Sequence, residues 1–104
     1  MNEKLERILG VLLQSNLFKI HHKDNNAIII PVKSRGFDRF EKEGYIGFIQ
    51  VKLDDNQVVF DLIMGKGLVH IRSRELDIEP EDVPRYLLDF IFSRLAAYFK
   101  LYSR

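Results

Sequence analysis

The stretch from Tyr45 to Met64 constrains the fold more than any other, because strand alternation and turn chemistry there demand the same register. With Asp54-Asp55-Asn56-Gln57 as the turn, Leu53 falls opposite Val58, Val51 opposite Phe60, Ile49 opposite Leu62 and Gly47 opposite Met64. These residues make one apolar face across two antiparallel strands, and Phe48, Gln50, Lys52, Val59, Asp61 and Ile63 take the other. A two-stranded hairpin is marginal alone, so the rest of the chain has to cover its apolar face.

Two helices can do so. From Asn2 to about Asn16, apolar residues at Leu5, Ile8, Leu9, Leu12 and Leu13 follow the three-four spacing of a helix with one buried stripe. Asn2 suits the N-cap, and Glu3 and Glu6 sit where the helix dipole favours negative charge. Gly10 either allows a close contact or is simply tolerated, at about 1 kcal/mol relative to alanine. The acidic, proline-containing segment Asp77 to Asp82 introduces a second helix from Val83 to about Tyr102. Its apolar residues, among them Leu87, Phe90, Ile91, Phe92, Leu95, Phe99 and Tyr102, spread over more of the circumference than one sheet contact requires.

Further strands flank the hairpin. Phe18 to Lys23 and Ala27 to Val32 read as strands joined by Asp24-Asn25-Asn26, which sets Ile20 opposite Ile30 and Phe18 opposite Val32. Pro31 lacks a backbone donor and predicts that its strand lies at a sheet edge or ends there. Lys33 to Gly44 has no clear period and reads as the longest loop. After the turn Gly65-Lys66-Gly67, a strand from Leu68 to Arg74 is expected. A connection of even length puts Val69 and Ile71 on the face of Phe60 and Leu62, and His70 and Arg72 beside Asp61. The expected fold is α+β: an N-terminal helix, a five-stranded antiparallel meander and a C-terminal helix, with both helices mainly on one sheet face.

A chain of 104 residues supports one domain, 1–104, with a single core. Apolar residues at 46% and charged residues at 30% are globular proportions, and a net charge of +1 supplies no global field toward nucleic acid or membrane. The absence of cysteine removes disulfides, thiolate nucleophiles and cysteine-bound metals. No apolar run approaches the roughly 20 residues of a membrane span. Glu3, Lys4, Glu6 and Arg7 break the basic-then-apolar order of a secretory signal, so a cytoplasmic address is expected.

Short motifs yield little chemistry. Lys33-Ser34-Arg35-Gly36-Phe37 and Gly44-Tyr45-Ile46-Gly47-Phe48 each carry part of the basic, glycine and aromatic pattern of RNA-stacking strands. In the first, Asp38 and Arg39 replace the residues needed; in the second, Ile46 throws Tyr45 and Phe48 onto opposite faces. Lys19, Lys23, Lys33, Arg35, Phe37 and Arg39 form a basic, aromatic rim that is the alternative nucleic-acid reading, diluted by Asp24, Asp38, Glu41 and Glu43. His21 and His22 are adjacent and point to opposite faces of a strand, so they cannot chelate one ion together. Asp61 and His70 pair as an ion pair or hydrogen bond, and Ser73 projects from the other face, away from them.

No catalytic, cofactor or metal constellation is therefore expected. The excess of apolar surface leads instead to a non-enzymatic protein-interaction module, as a homodimer or as an adaptor, inhibitor or subunit of a complex. Its interface would use Phe48, Val59 and Ile63 on the second sheet face and Phe92, Phe99 and Tyr102 on the last helix. A small enzyme centred on His70 and Asp61 is the least supported reading.

Overall fold

A computed structural model describes residues 2–20, 22–23, 25–33 and 45–102, and within these the side chains of 22–23, 33, 45–46, 66 and 95–102 are left out. In chain order the elements are α1 (Glu3–Ser15), β1 (His22–Lys23), β2 (Ala27–Lys33), β3 (Tyr45–Asp54), β4 (Gln57–Met64), β5 (Val69–Arg72) and α2 (Val83–Tyr102). β2 to β5 form an open antiparallel sheet with neighbours in chain order, and the two-residue β1 lies against the outer side of β2.

The central hairpin has the register that its alternation dictates. Gly47 pairs with Met64, Ile49 with Leu62, Val51 with Phe60 and Leu53 with Val58. Asp55 and Asn56 both have positive φ, 47° and 64°, which is the geometry of a two-residue turn whose twist matches that of the strands. β5 follows through the four-residue connection Gly65 to Leu68, so Ile71 faces Leu62 and Val69 faces Met64 on the core side.

The first expected strand needs correction. Among the described residues of that stretch, His22 and Lys23 join the sheet, and they pair with Ile29 and Ile28 rather than in the register that sets Ile20 opposite Ile30. Phe18 and Ile20 lie outside the ladder and pack half-buried against the core. Pro31 lies in β2 beyond the last residue paired with β1, where the missing donor costs no ladder bond to that strand. The expected loop from Lys33 onward, residues 34–44, falls outside the described residues.

Beyond β5 the chain returns to β4. Ser73 N–H donates to Phe60 O at 2.8 Å, and Leu76 exchanges both backbone bonds with Val58 at 2.8 Å. Two residue steps on β4 thus face three on the returning strand, a bulge at Arg74-Glu75. Phe60 N–H, which the bulge deprives of a regular partner, donates to Ser73 Oγ at 2.9 Å. A buried amide is thereby satisfied.

Both helices cover the same sheet face. Leu5, Ile8, Leu9 and Leu12 of α1 and Val83, Leu87 and Phe90 of α2 form one cluster with Ile28, Ile30, Ile49, Val51, Val58, Phe60, Leu62 and Met64. Each such side chain, fully buried, contributes about 1.5–3 kcal/mol. Phe60 and Phe90 meet as a tilted ring pair with centroids 5.6 Å apart, joining the middle of the sheet to α2. Asn2 caps α1 by accepting from Lys4 N–H at 2.7 Å, and Arg7 reaches Glu81 at 3.0 Å in the single 3₁₀ turn before α2. No helix among the described residues is long and apolar enough to cross a membrane.

Gly10 resolves simply. It is exposed, and a Cβ built there meets nothing within 4 Å. Gly10→Ala is therefore expected to stabilise the protein by up to about 1 kcal/mol, read as a higher urea midpoint at unchanged slope.

Candidate functional site

The sheet face turned away from the helices has three cross-strand rows. One runs Pro31, Phe48, Ile63, His70; the next Ile29, Gln50, Asp61, Arg72; the third Ala27, Lys52, Val59. Polar and apolar groups share this face, and its centre is Asp61.

Asp61 is the one charged residue buried among the described residues, 2% exposed. An isolated buried carboxylate would be costly, and both oxygens are accordingly engaged. Lys52 Nζ approaches Oδ2 at 2.6 Å from β3, and His70 Nε2 donates to Oδ1 at 3.0 Å from β5. The carboxylate accepts only, so Nε2 carries the hydrogen of that bond. Strand register explains the geometry: Lys52 faces Val59 and His70 faces Ile63, each one diagonal step from Asp61. Three strands are tied through one buried carboxylate, with Lys52 and His70 at 32% and 59% side-chain exposure presenting its polar surroundings to solvent.

Burial is the largest single influence on the Asp61 carboxyl and acts to raise its pKa; the hydrogen bonds and charges of Lys52 and His70 together outweigh it and hold the group below its ordinary value. A depressed native pKa means that the ionised form stabilises the fold. That contribution is whole above about pH 4 and is lost as pH falls through the lower native value. Urea unfolding from pH 5 down to pH 2 is expected to show a loss in the native chain that Asp61→Asn does not share.

The pair Asp61 and His70 was legible from strand parity. The burial of Asp61 and the part of Lys52 were not, although Lys52 stands on the same face two pairs from the turn. Ser73 stays apart from the pair, its hydroxyl accepting from Phe60 N–H and donating to Arg74 O at 2.8 Å. Among the described residues no cluster of three or more His, Cys, Asp or Glu has the arrangement of a metal site.

The expected interface residues have different fates. Phe48 and Ile63 are half-buried neighbours on the second sheet face. Val59 lies on that face but is fully buried, so it offers a partner no surface. Phe92 projects from α2 with 68% of its area exposed. Phe99 and Tyr102 lie in the helical span of α2, and their side chains fall outside the described residues. Of the basic rim, Lys19 is exposed after α1 and Lys23 and Lys33 are strand residues without described side chains. His21, Arg35, Phe37 and Arg39 fall outside the described residues.

Fold and face together define an α+β domain with helices on one side of an open antiparallel sheet and a buried carboxylate on the other. Comparison with family models, curated proteins and solved structures found no match.

Proposed function

We propose that the chain is a non-enzymatic protein-interaction module, a homodimer or a subunit of a complex, whose partner covers the second sheet face and the outer side of α2. The observation that supports it most is the apolar row Pro31, Phe48, Ile63, which crosses three adjacent strands on the face that carries neither helix of the core cluster. Phe92 adds a second apolar group exposed at 68%. Apolar rows of this kind, beside charged groups, have the make-up of interface centres and rims.

Self-association is the form of this reading that can be tested directly. Light scattering over a dilution series, combined with hydrogen exchange, is expected to show a dimer whose dissociation deprotects β2 to β4 amides. Phe48→Lys with Ile63→Lys is expected to give a folded monomer. A dimer unaffected by the double substitution would remove the sheet face from the interface, and a monomer at every concentration would restrict the reading to a heterologous partner.

A further inference from the structure

We propose that the groove between the β5 bulge and α2 is a binding site for a small oxyanion, a carboxylate or a phosphate, held between Arg74 and Arg94. The groove has a volume of about 310 Å³ and is lined by residues of both segments, among them Arg74, Tyr86, Asp89, Phe90 and Arg94. That size is at the lower end for small-molecule sites.

Three of the described arginines hold carboxylates. Arg7 pairs with Glu81, Arg72 with Asp54, and Arg85 with Asp82. Arg74 and Arg94 are the described arginines with no carboxylate partner among the described residues, and both line this groove. They arrive there from elements distant in sequence. The extra residue of the bulge breaks strand parity around Arg74, while α2 carries Arg94 one turn beyond Phe90. The Arg94 guanidinium stands 5.7 Å from the centre of the Phe90 ring, a contact that orients a planar donor fork without using its hydrogen bonds. Tyr86 adds a phenol to the same lining.

Asp89 lines the groove too and opposes an anion. Two guanidinium groups against one carboxylate leave a net positive site, and two forked donors suit carboxylate or phosphate oxygens. The serines add acceptors rather than donors, since Ser73 donates to Arg74 O and Ser93 donates to Phe90 O at 3.2 Å. The ligand class follows from the arginines alone.

The test is an NMR titration of the full chain with inorganic phosphate and, separately, with benzoate, at ionic strength held constant with chloride. Saturable shifts confined to residues 73–76 and 86–94 are expected with at least one of the two, and the stronger identifies which oxyanion the groove selects. Arg74→Gln and Arg94→Gln are each expected to weaken that binding about tenfold, the loss of a charge-assisted bond. Both arginines are exposed, so the variants keep the fold, and Asp89→Asn is expected to tighten binding. Shifts that are linear in concentration, scattered over the surface, or unchanged in the double arginine variant would overturn the site, as would weaker binding by Asp89→Asn.

Discussion

Gly47→Ala is expected to destabilise the protein by about 3 kcal/mol, although alanine suits a strand better than glycine. Gly47 pairs with Met64 on the core face, and a Cβ there would collide with the carbonyl oxygen of Ile63 and stand 2.7 Å from Met64 Cγ and 3.0 Å from Met64 Cα. The Met64 side chain can move. The Ile63 carbonyl and the Met64 Cα belong to the β4 backbone, so relief requires the two strands to separate locally. Nearby, the β2–β3 register shifts between Val32 and Lys33, so this end of the sheet is already irregular on the other side of β3. Urea unfolding measures the loss. A midpoint within error of the native chain would show that the strands open at no cost, and Gly10→Ala, with the opposite expected sign, controls for glycine removal as such.

Lys52→Met is expected to cost about 2–3 kcal/mol, more than a surface ion pair is worth, because it strands a buried carboxylate rather than an exposed one. The Asp61 side chain is 3% exposed, and without Lys52 its Oδ2 loses its partner while His70 still holds Oδ1. Lys52 itself is one-third exposed, which keeps the loss below that of a fully buried pair. Adding Asp61→Asn to Lys52→Met removes the stranded charge and is expected to recover most of the loss, a non-additivity that a double-mutant cycle reads directly. Acid gives an independent check: the penalty of Lys52→Met shrinks as pH falls and Asp61 protonates. Equal penalties for single and double variants would mean that the loss does not come from a stranded Asp61 charge.

Gly47, Asp61 and Val59 mark where local pattern stops being informative. Glycine at 47 reads from sequence as an ordinary place on the apolar face, yet its role is set by how closely the β4 backbone approaches. Asp61 reads as one half of a cross-strand pair with His70, yet it is the buried centre of a three-strand tie. Val59 reads as second-face surface and is fully buried. In each case burial is a sum over neighbours on other strands, and no periodicity in one segment contains it.

Interval parity was decisive where the connections were tight. The register from Gly47 to Met64 and the core-facing side of Val69 and Ile71 follow from counting residues across tight connections. At β1 the same counting failed, because the interval from Lys23 to Ile28 holds four residues rather than three, and one residue turns every side chain to the other face. The limits of α1 and α2 were likewise legible, from an N-cap asparagine, an acidic first turn and helical spacing.

By itself, then, the sequence determined the elements that depend on neighbours in the chain: two helices, the central hairpin, the face of β5 and the meeting of Asp61 with His70. Tertiary structure alone decided what depends on separate strands arriving at one place. The closeness of β4 to Gly47, the burial of Asp61 beneath Lys52, and the bulge that brings Arg74 to the same groove as Arg94 are of this kind. The physical reason is range. Backbone periods of 2 and 3.6 are set within a few residues, whereas burial, close approach and charge pairing are settled only when the sheet has assembled.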